Sequence, residues 1–189
     1  MITTPDGAID EHGRSRPLGG PADQQRLIDL RSKARVVLVG AGTARAENYG
    51  PPSRDDLRIG VVTLSCALDF SAPLYASGAG FVVTTTSAPA VPVHSVRGGT
   101  DVIDFAEVLT QLPDGIIQVE GGPQLNAALF DADLVDAINL TFSPHLVGSR
   151  GPGLSMAPHA SRRFSLVAQE LREGFVFARY ERTQRITTA

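Results

Sequence analysis

Along this chain the apolar positions switch between a period of two and a period near 3.6, and each switch marks an element. Short β-branched runs at Val36–Val39, Ile59–Leu64, Phe81–Thr86, Ile116–Val119 and Ala137–Phe142 predict buried strands, the first ending on Gly40. Pro21–Ala34 predicts a helix with Leu27, Ile28, Leu30 and Ala34 as its apolar stripe. Asp104 is suited to cap a helix through Leu112, and Pro113-Asp114-Gly115 turns the chain into the strand at Ile116. Gly121-Gly122-Pro123 opens another helix, to about Phe130, with the proline in its first turn. Two longer strands, Phe164–Leu171 and Phe175–Arg182, flank a hairpin turn at Gly174. Pro5, Gly7, Gly13, Pro17 and Gly19 break any period near the start, and Pro144–Pro158 reads as a Gly/Pro-rich surface loop. Strands alternating with helices, then a hairpin, predict an α/β fold with a mostly parallel sheet and an antiparallel edge.

Composition narrows the chemistry. The 189 residues suit one domain, and 42% hydrophobic with 20% charged residues is ordinary globular usage. The expected protein is soluble and cytoplasmic, with no apolar run long enough for a membrane helix, no secretory pattern at the start, and Cys66 as its one cysteine. A net charge of −3 with scattered arginines gives no case for nucleic acid. Lys33 is the only lysine and lies in a polar stretch, which disfavours Schiff-base chemistry. His12, His94, His145 and His159 lack metal-ligand spacing, so no metal is expected. Hydrolase and NTPase signatures are absent.

Two stretches carry candidate chemistry. In VVLVGAGTARAE (36–47) a strand runs into glycines that let the backbone approach a ligand, and Thr43 offers a hydroxyl where a short helix would begin. Arg45 occupies the third glycine position of the ordinary dinucleotide fingerprint, and the plainer reading is a strand-to-helix turn with Thr43 as N-cap. In GIIQVEGGPQLNAAL (115–129) a strand ends at Glu120, two glycines follow and a helix starts at once. Free amides and the helix dipole there suit a pyrophosphate. Arg31 closes the helix that leads to the Gly40 strand, and a guanidinium with a nearby hydroxyl would suit a substrate phosphate.

Together with TTPDGAI near the start and RPLGGPADQQRLIDLRSKAR before the Gly40 strand, these stretches resemble the C-terminal reductase domain of the bifunctional riboflavin-biosynthesis deaminase/reductase, and its stand-alone pyrimidine-reductase-like members most of all. The resemblance implies a dihydrofolate-reductase-like three-layer fold, an NADPH cofactor and a homodimer. It also implies reduction of a ribosylamino-pyrimidinedione 5′-phosphate by direct hydride transfer. Matched by motif, it implies cofactor contacts at Thr3, Thr43, Glu47, Ser65 and the run Gly122, Pro123, Gln124, Leu125, Asn126, Ala127 and Ala128. On the substrate side it implies Ser15, Arg31, Pro51, Arg54 and Glu120. Asp6, Glu47 and water are alternatives for the proton donor. Pro17 stands where the bifunctional enzymes often carry an aromatic contact, and the zinc deaminase signature is absent. The family has a core strand just before the segment matched by MITTPDG, so that strand is either upstream or missing. A pterin or dihydrofolate reductase and a non-catalytic NADPH-binding module are the competing readings.

Overall fold

The computed structural model describes residues 1–148, 153–156 and 161–183. In chain order the elements are β1 (Ile2–Thr3), α1 (Pro21–Arg31), β2 (Ala34–Gly40), α2 (Ala41–Ala46), β3 (Arg58–Val62), α3 (Pro73–Ala76), β4 (Gly80–Thr84) and β5 (Ser95–Arg97). There follow α4 (Phe105–Thr110), β6 (Ile116–Val119), α5 (Pro123–Asp131), β7 (Ala137–Phe142), β8 (Phe164–Arg172) and β9 (Phe175–Arg182). A five-stranded parallel sheet runs β5-β4-β3-β2-β6, and a four-stranded mixed sheet runs β1-β7-β9-β8. The expected α/β class and C-terminal hairpin are both present.

Strand alternation builds the layers. Val37 and Val39 of β2 face a core shared with Ile59, Val61, Val82 and the α3 residues Leu74 and Tyr75. Val36 and Leu38 face the opposite side, against Phe105 and Val108 of α4 and Leu125 and Leu129 of α5. These valines are fully buried on both faces, which is why the strands read as unbroken apolar runs. Asp104 caps α4 as its sequence predicts, accepting from the Glu107 amide at 3.1 Å. The β8–β9 turn at Glu173-Gly174 has φ of +53° and +80°, the left-handed pair that suits a tight hairpin.

Several expectations need correction. The helix expected to reach Ala34 stops at Arg31, and Ala34 is already the first residue of β2. Ser32 and Lys33 make the turn between them, with the Ser32 hydroxyl donating to the Asp29 carbonyl at 2.7 Å. The predicted stripe is correspondingly open, with Leu27 37% and Ile28 58% exposed, while Ala22 is the residue α1 buries. Thr43 is not an N-cap, because α2 starts at Ala41 with Gly40 in the cap position. The opening loop contains the two-residue β1 and a 3-10 turn at Arg16–Leu18. The short α3 and β5 went unpredicted, since each offers too few residues for a period. Pro158 and His159 lie outside the described residues. Among the described residues no helix is long and apolar enough to cross a membrane.

Gly60 shows how tightly the sheet is filled. It pairs with Leu38 on one side and Phe81 on the other, and a Cβ there would lie 2.8 Å from Leu38 Cδ2 and 2.6 Å from Phe81 Cζ. Gly60→Ala should therefore cost about 1–3 kcal/mol through overpacking. Urea denaturation would check this, and an unchanged midpoint would contradict it.

Candidate active site

The carboxyl ends of β2 and β6 are tied together. Glu120 N–H donates to the Leu38 carbonyl at 2.9 Å, and Gly40 N–H donates to the Gly121 carbonyl at 2.8 Å. Gly121 and Gly122 both have left-handed backbones, with φ of +99° and +68°, a combination open to glycine and strained for other residues. A Cβ on Gly122 would come within 3.3 Å of Thr43 Oγ1 and 3.8 Å of Gly40 Cα. The two glycine-bearing stretches, some seventy residues apart in the chain, thus form one cradle.

Above that cradle α5 begins without a side-chain cap. Pro123 has no N–H, and the first amide bonded within the helix is that of Asn126, to the Gly122 carbonyl at 3.0 Å. The preceding amides, Gln124 and Leu125, are free of intrahelical partners and carry the positive end of the helix dipole. The rest of the predicted run is less available. Leu125 and Ala127 are buried, Ala128 packs against the core, and the Asn126 side chain donates to the Leu154 carbonyl at 2.7 Å. Helical periodicity explains this, because one face of α5 must cover the sheet.

Two predicted residues from the two sides of the site meet directly. Ser15 N–H donates to Glu47 Oε1 at 2.6 Å, fixing the opening loop against the end of α2. Thr3 is buried in β1, and its carbonyl accepts from Ser143 N–H at 2.8 Å. Ser65 and Pro51 are exposed in loops, Ser65 accepting from the Ala67 amide at 3.3 Å. Asp6 accepts from the Thr4 hydroxyl and from the amides of Val147 and Gly148 at 3.2 and 2.7 Å. Those donors, the Thr4 hydroxyl foremost, hold its carboxyl below the usual range.

Arg31 and Glu120 form a side-on ion pair. Arg31 Nε donates to Glu120 Oε1 at 2.6 Å and Nη2 donates to Oε2. The Glu120 side chain is 5% exposed and that of Arg31 is 30% exposed. Sequence reading missed two residues here. Tyr49 OH donates to Glu120 Oε2 at 2.6 Å, and Gln118 Nε2 donates to Oε1 at 2.8 Å. The Tyr49 ring also lies under the guanidinium, 5.4 Å from Arg31 Cζ to the centroid. Burial, then the Glu120 charge, pushes the Tyr49 hydroxyl well above its ordinary range, so it stays a donor. No sequence signal marks either residue; Tyr49 follows Asn48, which takes the left-handed turn at φ +53°, and reaches Glu120 only through the tertiary fold.

Arg54 is engaged elsewhere. Its Nη1 donates to the carbonyls of Arg31, Ser32 and Ala34 at 3.0, 2.7 and 3.3 Å, satisfying the end of α1. Its Nε and Nη2 donate to Asp56 at 3.0 and 2.7 Å. Arg54 thus meets the backbone carbonyl of Arg31.

The sequence and the fold both recur in known proteins. A curated relative from Methanothermobacter thermautotrophicus, a 2,5-diamino-6-ribosylamino-4(3H)-pyrimidinone 5′-phosphate reductase, is 26% identical over 165 residues, covering 78% of this chain and 76% of the relative. The crystal structure of a pyrimidine reductase-like protein from Corynebacterium diphtheriae superposes with a TM-score of 0.85 at 23% identity, over 97% of this chain and 90% of the other. Dihydrofolate reductase from Enterococcus faecalis shares the fold, with a TM-score of 0.63 at 15% identity over 97% and 94% of the two chains. With residues 1–172 matching its profile, the chain belongs to the RibD C-terminal domain family.

Proposed function

We propose that this protein is an NADPH-dependent reductase of riboflavin biosynthesis, acting in the cytoplasm on a 5-amino-6-ribosylamino-pyrimidinedione 5′-phosphate. The observation that carries this reading is the cradle made by Gly40, Thr43, Gly121 and Gly122 directly beside the Arg31–Glu120 pair, in a chain of the RibD C-terminal domain family. The cradle suits a dinucleotide, because a Cβ on Gly122 would fill it. The Gln124 and Leu125 amides would take the diphosphate, with Thr43, Glu47, Thr3 and Ser65 around the remainder of the cofactor. When bound, the cofactor supplies a hydride to C1′ of the ring-opened ribosylamine.

The chain's own groups align donor and acceptor and keep water out. Arg31 carries the positive charge for the substrate phosphate, with Ser15 and Pro51 in the neighbouring loops. Arg54 acts by fixing the turn that carries Arg31. Asp6 is poorly suited to supply the proton to the amine nitrogen, because an acid held below the usual carboxyl range is ionised at neutral pH. Water is the donor this reading favours, since the Glu47 carboxylate already accepts from the Ser15 amide.

We also take residues 1–189 as one reductase domain. The outer edge of β6 pairs with no strand among the described residues, and Ile116 on it is 57% exposed. A homodimer is supported by the edge strand β8, where Leu166, Val167 and Leu171 are 49%, 51% and 75% exposed.

The purified protein should consume NADPH only when the pyrimidine phosphate is added, and absence of turnover would contradict the reading. Gly122→Val should weaken NADPH binding at least about tenfold, since it adds strain of roughly 1–2 kcal/mol and blocks the cradle. Calorimetry checks this, and unchanged affinity would remove the cradle from the cofactor site. Sedimentation should give twice the monomer mass; a monomer would contradict the dimer.

A further inference from the structure

We propose that Asp6 is a positioning residue: its carboxylate clasps the loop after β7 to the opening loop, and so fixes the corner that receives the nicotinamide nucleotide. This rests on the NADPH reading for its effect on binding, and on geometry alone for the clasp. A carboxylate ill suited to donate a proton thereby has a task.

Strands β1 and β7 are parallel neighbours, so their carboxyl ends release two loops side by side. The opening loop, residues 4–20, follows β1, and residues 143–148 follow β7. Asp6 joins them. Its Oδ2 accepts from the Val147 amide at 3.2 Å and the Gly148 amide at 2.7 Å, 141 and 142 positions away in sequence. Successive amides converge on one oxygen where the backbone turns left-handed, and Gly148 has φ +69°. The other oxygen, Oδ1, accepts from the Thr4 hydroxyl, which itself accepts from the Ala8 amide at 2.9 Å. The carboxylate is thus held from both loops, by bonds that its charge strengthens.

Two further contacts keep the same loops together without Asp6. The Ser143 hydroxyl donates to the Leu18 carbonyl at 2.6 Å, both residues being buried. Val147 packs against the cluster of Ile2, Leu18, Ala22, Phe175 and Phe177. This apolar anchor survives loss of the carboxylate, and what is lost is the register of Val147 and Gly148 on the opening loop. That register bears on the site at two places. Thr3, an implied cofactor contact, gives its carbonyl to the Ser143 amide at 2.8 Å. Ser15, farther along the same loop, donates to Glu47, the implied contact at the end of α2. A loop ordered before binding has less conformational entropy to lose when the nucleotide arrives.

Hydrogen exchange resolved by NMR reads the clasp directly, because the Val147 and Gly148 amides exchange when Asp6 releases them. In Asp6→Ala both should exchange about tenfold faster, the scale of hydrogen bonds to one exposed carboxylate, with the amides of β2 unchanged. Asp6→Asn, which keeps an oxygen for the amides, should fall between. NADPH added to wild type should slow the same two amides. By linkage, Asp6→Ala should bind NADPH about tenfold more weakly in calorimetry. Unchanged exchange at Val147 and Gly148 overturns the clasp, and faster exchange with unchanged NADPH affinity overturns its role in the site. Faster exchange that extends into β2 would be a general loss of stability and overturns the proposal too. So does a fall in turnover of about a hundredfold with NADPH affinity unchanged and the alkaline limb of the pH profile lost, which would make Asp6 the proton donor. A wild type that binds no NADPH overturns the reductase reading, and exchange in Asp6→Ala still decides whether Asp6 joins the two loops.

Discussion

The joint between β2 and β6 is the constraint from which the site follows. Gly40 donates to the Gly121 carbonyl, and that bond requires the chain to pass through two successive left-handed residues before α5 can start. Only glycine does this without strain. The same absence of side chains leaves the helix start open at the carboxyl end of a parallel sheet, the place where open α/β sheets bind their ligands. Backbone geometry and binding capacity here have a single cause.

Glu120, immediately before that joint, extends the constraint to electrostatics. A carboxylate this buried is tolerated only with strong compensation, and it receives two bonds from a guanidinium, one from a phenol and one from an amide. Arg31 therefore has a structural duty as well as a charge to offer. Arg54 serves the same region differently, closing the carbonyls at the end of α1 so that the turn into β2 is fixed. Three charged groups near one turn thus have separate tasks, although residue type alone suggests a common one.

The central strands β2 and β4 were legible because they are buried on both faces and so spell continuous β-branched runs; Ile116–Val119, Ala137–Phe142 and Phe175–Arg182, only partly buried, still coincide with β6, β7 and β9 through their β-branched and aromatic residues. Helix α1 was less so, since Leu27 and Ile28 follow a helical period yet stay exposed, and the end of the helix depends on Arg54, more than twenty residues away. In the site, the glycine pair and Thr43 could be read from spacing because glycine has few other reasons to be paired at a helix start. Tyr49 and Gln118 could not, because their importance lies in converging on one carboxylate through tertiary contacts. The availability of Leu125, Asn126 and Ala127 was likewise invisible until α5 was laid on the sheet.

The measurement closest to the central claim is a crystal structure of the protein soaked with NADP⁺. The account predicts the diphosphate on the Gln124 and Leu125 amides, against Gly40, Thr43 and Gly122. A nucleotide lodged elsewhere, with that corner closed by side chains, would contradict it.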